Sequence, residues 1–192
     1  MLTLGNIAIH PGFWGILLLA VAAGAGEVIP MVGIAALCHE MGHIAALWLF
    51  GTPVQGISFT GFGVEIRADT RYLSYGKDII CTLAGPGVNL LLAVICSRLS
   101  GDYLLAGANL LQGAFNLMPL PGLDGARALH LVLCWASDPF RADRLCRGIE
   151  LCSAGVMSVV SLVLVLRNSA GLFLLLASLG ILRSAVRTWM GK

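Results

Sequence analysis

The sequence predicts an all-α polytopic membrane protein with about six transmembrane helices and a membrane-associated β-hairpin between spans 2 and 3. Of its 192 residues, 58% are hydrophobic and only 11% are charged, and the mean hydropathy is +0.89. A water-soluble surface alone needs about 25–35% charged residues. Apolar runs of about 18 residues or more recur along the chain, and each can cross a hydrocarbon core of about 30 Å.

The apolar runs place the six predicted spans, with boundaries good to a few residues. They cover about Phe13–Ala25, Ile29–Phe50, Asp78–Leu99, Tyr103–Leu117, Ile149–Leu166 and Leu172–Val186. The fourth is short and ends at Pro119 and Pro121, where proline removes a helical hydrogen bond and clashes with the preceding turn. We expect the chain to break there and to restart as a half-helix from about Leu123. Because broken backbone at membrane depth must line a cavity or be buried in protein, residues 116–127 are a candidate functional segment.

Residues 51–70, between the second and third spans, are rich in Gly, Val, Ile, Phe and Thr, with glycines at 61 and 63. This composition predicts a β-hairpin over about 54–66. The whole chain, 1–192, is expected to form one integral-membrane domain. Its core would cover about 28–130, with accessory spans at about 11–26 and 149–187.

The Lys and Arg distribution predicts the orientation of the chain in the membrane. Six spans put ten of the twelve basic residues on one side and leave only Arg98 and Arg167 on the other. Both termini and the hairpin are therefore expected to be cytoplasmic. The long apolar runs indicate the lipid bilayer as a partner. The net charge of +2 and the scattered basic residues predict no nucleic-acid partner.

The second predicted span contains His39-Glu40-Met41-Gly42-His43. In a helix, the spacing of four residues places both imidazoles on one face, about 6 Å apart, where they can bind one metal ion. Glu40 adjoins them and can act as a general base on an activated water. Ionisable groups inside an apolar helix are costly and are usually functional. The motif predicts a zinc site, and the alternative is a set of polar groups that only join helices.

Catalytic zinc usually takes three protein ligands and leaves a fourth position for water. Few ionisable groups of this chain lie at membrane depth. Asp124 is the favoured third ligand because it begins the half-helix after the proline break. His130, six residues later, is the rival.

Three motifs follow one another: His39-Glu40-x-x-His43, Ala84-Gly85-Pro86-Gly87-Val88-Asn89 and Asn116-x-x-Pro119-x-Pro121-x-x-Asp124-Gly125. Together they resemble the site-2 protease family of intramembrane zinc metalloproteases (peptidase family M50), in particular its compact bacterial branch typified by the stage IV sporulation factor B protease. HExxH alone is shared by many metalloproteases. HExxH together with the motif from Asn116 to Gly125, both in membrane spans, is highly specific for this family. With the hairpin, the resemblance covers about residues 28–130.

The resemblance implies that His39, His43 and Asp124 bind one zinc ion and that Glu40 is the catalytic base of a metalloendopeptidase. Its substrate would be a single-pass or membrane-tethered protein, cut in regulated intramembrane proteolysis.

The resemblance also implies that Asn116, Pro119 and Pro121 position the substrate backbone. Asn89 would be a further polar group near the site, and the alternative is that it only forms an interhelical hydrogen bond. The family often has a second glycine after Asp-Gly, where this chain has Ala126. No PDZ domain and no cystathionine-synthase-type (CBS) domain are expected, so the resemblance leaves substrate selection and any regulatory membrane partner open.

A substrate must be extended before it is cut, because a helix hides its carbonyl groups. The hairpin could pair with such a segment as an added strand, and we expect proline at Ser58 or Thr60 to reduce turnover without changing bound zinc. The predicted location is the bacterial inner membrane. Two other functions are consistent with the residues: an inactive partner-binding protein of the same fold, or a metal transporter.

Overall fold

The computed structural model describes residues 2–4, 7–9, 26, 28–60, 63–167 and 172–191. The first predicted span, Phe13–Ala25, lies outside the described residues. The chain divides into two compact units, Met1–Phe115 and Asn116–Lys192, and each is described below by itself. One domain over residues 1–192 stays a prediction.

The described residues of the first unit form three α-helices: α1 (Val28–Leu49), α2 (Tyr75–Ile95) and α3 (Tyr103–Asn116, whose last residue belongs to the second unit). A π-helical turn at Cys96–Ser100 extends α2 and ends at Gly101, whose φ of 67° favours glycine because it has no Cβ. The predicted spans at 29–50, 78–99 and 103–117 match these helices within three residues. The fold class predicted from the sequence is therefore confirmed for this part of the chain.

The β-hairpin is confirmed, and it belongs to a four-stranded sheet. Strands β1 (Leu2–Leu4), β2 (Ile7–Ile9), β3 (Val54–Thr60) and β4 (Gly63–Ala68) lie in that order. Outer pairs are antiparallel, and β2 is parallel to β3. Strands β1 and β2 were not predicted from the sequence, although Gly5-Asn6 between two short apolar runs is typical of a hairpin turn.

A short 3₁₀ helix, Thr70–Tyr72, leads from β4 into α2. The Asp69 carboxylate accepts hydrogen bonds from the backbone N–H of Arg71 at 3.3 Å and from its guanidinium at 2.7–2.8 Å. The guanidinium hydrogen bonds lower the pKa of Asp69 to about 2. Asp69 and Arg71 therefore form a local ion pair at the start of this 3₁₀ helix.

Several polar side chains lie inside the first unit, and many large apolar side chains lie on its surface. His39, Asp78 and Asn89 are buried, whereas Leu37 and Leu91 are about 60% exposed. Lipid is as apolar as leucine, so it does not drive leucine inward, and buried polar groups join the helices. This distribution is typical of a protein whose solvent is a bilayer.

In the second unit, α4 (Asp124–Ala136), α5 (Pro139–Arg167) and α6 (Leu172–Trp189) follow the proline-rich segment. The span predicted at Ile149–Leu166 proves to be part of the longer α5. Pro139 is tolerated as the first helical residue because that N–H would have no helical partner. The predicted half-helix is α4, and it begins one residue after the predicted start.

Among the described residues, three helices are long and apolar enough to cross a membrane: Val28–Leu49, Tyr75–Ser100 and Pro139–Arg167. The 14 residues of α3 are too few, as the sequence analysis expected. The count of six spans stays a prediction.

The Thr82 hydroxyl on α2 is buried and has no hydrogen-bond partner among the described residues. Leaving such a group unpaired costs about 1–3 kcal/mol. We expect Thr82→Val, which keeps the shape and removes the hydroxyl, to raise the thermal midpoint in detergent by about 2 °C or more.

Ser158→Ala is the matched control, because the buried Ser158 hydroxyl lies 2.9 Å from the Ala154 carbonyl and 3.3 Å from that of Ser178. Its removal should lower the midpoint. A fall for Thr82→Val as well would contradict the prediction.

Candidate metal centre

Two histidines on α1 face each other. The helical repeat places His39 and His43 on one face, with ring centroids 4.8 Å apart and ring planes at 81°. Their Nε2 atoms are 3.1 Å apart. Two imidazole nitrogens bound to one tetrahedral zinc ion, each at about 2.0–2.1 Å, lie about 3.3–3.4 Å from each other. The pair therefore has nearly the separation that a shared metal ion requires.

The other nitrogen of each ring meets an oxygen atom from α2. His43 Nδ1 lies 2.8 Å from the Cys81 carbonyl oxygen, which can only accept, so this Nδ1 carries the proton. His39 Nδ1 lies 2.6 Å from Asn89 Oδ1. The Asn89 amide nitrogen donates to the Ala35 carbonyl at 3.0 Å, which turns Oδ1 towards His39. When both rings are neutral, each directs an Nε2 lone pair into the same space, which is how outer hydrogen-bond partners orient histidine ligands in metal sites.

Two glycines permit this contact between α1 and α2. A Cβ at Gly42 would lie 2.7 Å from the Ala84 carbonyl oxygen, and a Cβ at Gly85 would overlap the His43 imidazole. Both positions therefore lack room for any side chain. Gly85 belongs to the AGPGVN motif, so part of that motif's role is to give His43 its space.

Glu40 follows His39 on α1 and is half-buried, whereas His39 is only 3% exposed. A half-buried carboxylate beside a buried imidazole can exchange protons with water while its neighbour stays fixed. This placement suits the general base predicted from the motif. The assignment of Glu40 stays a prediction.

In the second unit, the residues between α3 and α4 form a tight turn. The Leu120 N–H donates to the Met118 carbonyl at 2.8 Å, and the Leu123 N–H donates to the Leu120 carbonyl at 3.1 Å. The Leu120 side chain is fully buried, and it packs with Ala154 of α5. The segment between Pro119 and Pro121 is therefore anchored, as a positioning element requires.

Asp124 is the first residue of α4, where the partial positive charge of the helix N-terminus favours a carboxylate. A Cβ at the next residue, Gly125, would overlap the Leu117 carbonyl, so the motif's glycine lets the turn close on the helix. His130 lies on the same helix with its ring 3.6 Å from the Cys134 sulfur. The third-ligand role stays a prediction for Asp124, and His130 remains its rival.

The other predicted positioning residues lie on both units. Asn116 ends α3. Asn89 forms an interhelical contact with His39, so it lies beside the histidine pair as a polar group, as the resemblance implied. Ser58 and Thr60 lie on β3. Ser58 pairs with Ala8 of β2 and Glu65 of β4, so both sides of the strand are already used there. Substrate contacts of these residues stay predictions.

Sequence reasoning missed Asn109 on α3, whose Oδ1 accepts a hydrogen bond from Asn89 at 2.8 Å. The available signal was an amide inside a largely apolar helix, whereas Asn89 was singled out through the Ala84–Asn89 motif. No motif contains Asn109, so the sequence did not connect it to the histidines.

No family model matches the chain. The chain is 28% identical over 152 residues to "Putative zinc metalloprotease Rip2" of Mycobacterium tuberculosis, covering 56% of this chain and 59% of that relative. It is 28% identical over 156 residues to "Putative zinc metalloprotease Rip3" of the same organism, covering 74% of this chain and 38% of that relative. The chain thus spans about three-fifths of the length of the first relative, and less of the second.

A solved structure, the Site-2 Protease from Methanocaldococcus jannaschii, matches with a TM-score of 0.67 and 20% identity, covering 98% of this chain and 94% of the other. The chain has the site-2 protease fold. The resemblance stated from the three sequence motifs is therefore confirmed at the level of the fold. Within this site-2 protease fold, α1 carries the histidine pair and α2 supplies an acceptor to each ring.

Gly85→Ala should weaken metal binding, because the added methyl group would displace the His43 ring. We expect the affinity of the purified protein for Co²⁺ to fall about 10-fold or more, which is typical when a metal ligand loses its outer hydrogen-bond partner. Co²⁺ binding is measured by the d–d absorption of the bound ion.

Gly87→Ala is the matched control, since a Cβ at Gly87 meets no atom within 4 Å. It changes the same motif and should bind Co²⁺ like wild type. Equal affinities for the two variants would show that the space at Gly85 is not needed for the site.

Proposed function

We propose that this protein is an intramembrane zinc metalloprotease that hydrolyses peptide bonds of membrane-embedded or membrane-tethered proteins. The observation that carries the proposal is the pair of Nε2 atoms, 3.1 Å apart, on a helix that is long and apolar enough to cross a membrane. The names of the Rip2 and Rip3 relatives support zinc and proteolysis. The site-2 protease fold supports a reaction at the membrane.

His39, His43 and Asp124 are the proposed zinc ligands. Two neutral imidazoles and a carboxylate form a donor set that zinc favours, and three protein ligands leave one position open. Asp124 begins α4, directly after the tight proline turn, so its carboxylate is held by an anchored segment. Bound zinc would activate water and polarise the scissile carbonyl.

Glu40 is the proposed general base. Its carboxylate would take a proton from the attacking water as the new C–O bond forms at the scissile carbonyl. The same proton would pass to the leaving nitrogen as the C–N bond breaks. His39 and His43 lie 10 and 6 residues before the end of α1 at Leu49, or about 15 and 9 Å along its axis. Water therefore has to reach only part of the way into the bilayer.

The Lys and Arg distribution supports a multi-pass protein with both termini cytoplasmic, and the proposed location is the bacterial inner membrane. The site would then lie in the cytoplasmic half of the bilayer. Asn116, Pro119 and Pro121 would hold the substrate backbone beside it, on the segment that Leu120 anchors.

Zinc per chain in detergent-purified protein tests the metal site. We expect about one zinc ion in wild type and strongly reduced zinc in His43→Ala and Asp124→Ala. His130→Ala is the control and should keep its zinc. Folded wild type without zinc would refute the proposal and favour an inactive partner-binding protein. Zinc retained in Asp124→Ala but lost in His130→Ala would make His130 the third ligand.

Glu40→Gln separates chemistry from metal binding. It should keep about one zinc ion per chain and lose cleavage of a panel of single-pass reporter proteins by about 100-fold or more, because it cannot accept the proton. Undiminished cleavage would exclude Glu40 as the base. Metal flux through wild type in sealed vesicles, without cleavage of any reporter, would instead identify a transporter.

The outer edge of β4 is the proposed docking strand for an unwound substrate, because β3 is paired on both sides at Ser58. Two residues separate the paired Thr60 and Gly63. In such a hairpin the closing pair is hydrogen-bonded, so the N–H of the next residue, Val64, points away from β3.

Val64→Pro should therefore remove an edge donor, reducing reporter cleavage about 10-fold while bound zinc stays unchanged. Val64→Thr, which keeps the N–H and a β-branched side chain, is the control. Normal cleavage by Val64→Pro would rule out pairing of the substrate with this edge.

A further inference from the structure

A chain of hydrogen bonds leads from α3 through α2 to His39. The Asn109 amide nitrogen donates to the Leu105 carbonyl at 3.0 Å, and its Oδ1 accepts from the Asn89 amide nitrogen at 2.8 Å. Asn89 Oδ1 in turn lies 2.6 Å from His39 Nδ1. Both asparagines are fully buried. Three helices are thus joined by one polar path that ends at a proposed zinc ligand.

Each step of this path has a fixed direction. The Leu105 carbonyl can only accept, so the Asn109 nitrogen faces it and Oδ1 faces Asn89. Ala35 and Asn109 then take both amide hydrogens of Asn89. A flip of the Asn89 amide would place its oxygen against two acceptors and lose two buried hydrogen bonds, each costly to leave unmade. His39 therefore always meets an oxygen atom.

Close packing brings α3 within reach of Asn89. Gly113 lies one turn after Asn109, and a Cβ there would be 3.1 Å from the Asn89 Cβ and 3.2 Å from the Pro86 carbonyl oxygen. Glycine at this position lets the two helix backbones approach. The short Asn109 side chain can then touch Asn89 directly.

We propose that Asn109 is a positioning residue that acts through Asn89 to fix the ring orientation and the Nδ1–H tautomer of His39. The inference rests on the zinc site proposed above. The alternative is that Asn109 only joins α3 to α2, as amides in membrane helices often do. The two roles predict different results when Asn109 is replaced, because only the positioning role changes the orientation and the tautomer of the His39 ring.

Asn109→Leu, similar in size and unable to accept a hydrogen bond, is the first variant. We expect its Kd for Co²⁺ to rise about 3–10-fold, below the about 10–100-fold expected for Asn89→Leu, which removes the direct partner. The Co²⁺ d–d spectrum of Asn109→Leu should also shift or broaden, because the His39 ring is less well oriented. Wild-type affinity and spectrum would overturn the proposal.

Asn109→Asp is the conservative variant. In a buried site the neutral carboxylic acid is favoured, and it can accept from Asn89 and donate to Leu105 as asparagine does. It should restore Co²⁺ affinity to within about 2-fold of wild type. Equal losses in Asn109→Asp and Asn109→Leu would show that packing, and not the hydrogen-bond direction, matters. Thr82→Val, which removes a buried hydroxyl outside the path, should leave Co²⁺ affinity unchanged.

The double variant Asn89→Leu/Asn109→Leu tests whether the two residues act in series. If Asn109 acts through Asn89, its substitution should change the Co²⁺ affinity of the Asn89→Leu protein by less than about 2-fold. A full additional 3–10-fold loss would show an independent effect and refute the proposed path.

The His39 tautomer can be read without metal from the imidazole ¹⁵N shifts of histidine-labelled protein, with the resonances assigned by His39→Gln. Wild type should show protonated Nδ1, and Asn109→Leu should show a mixture. This readout separates the two proposals. Folded wild type that binds no Co²⁺ refutes the zinc site alone, whereas an unchanged tautomer in Asn109→Leu refutes the role of Asn109 alone.

Discussion

The close approach of α1 and α2 is the contact on which the histidine pair depends. Gly42 lies against the Ala84 carbonyl, and Gly85 leaves the space that the His43 ring occupies. With larger residues the helices would separate by more than a hydrogen bond tolerates, and the Cys81 carbonyl, 2.8 Å from His43, would lose its contact. The orientation of the Nε2 atoms follows from backbone packing, before any metal is present.

The surrounding solvent explains why the polar groups form a connected set. Lipid offers no hydrogen bonds, so a buried donor or acceptor without a partner in the protein destabilises the fold. Asn89 forms hydrogen bonds with three groups: the Ala35 carbonyl and the His39 ring on α1, and the Asn109 side chain on α3. Such a saturated network has one low-energy arrangement, which makes it rigid. That rigidity is what a metal ligand requires of its neighbours.

In the second unit, the proline-rich segment before α4 is fixed in place by a tight turn and by the packing of Leu120. Pro119 and Pro121 prevent a continuous helix, and the freed backbone is satisfied by short-range bonds within the turn. Leu120 inserts between α5 and α6, where it packs with Ala154 and Ala185. Small residues at that interface allow the helices to pack closely. The broken segment is therefore an anchored feature and not a loose connection.

The sequence by itself determined the helix that carries His39 and His43, their common face and the break at the prolines, because helical periodicity and proline stereochemistry act within a few residues. Only the tertiary structure decided which oxygen atoms orient those rings and that β2 pairs with a strand about 50 residues away. It also brought Asn109 to Asn89. Such contacts join distant parts of the chain, and their geometry depends on how whole helices and strands pack, which no local pattern records.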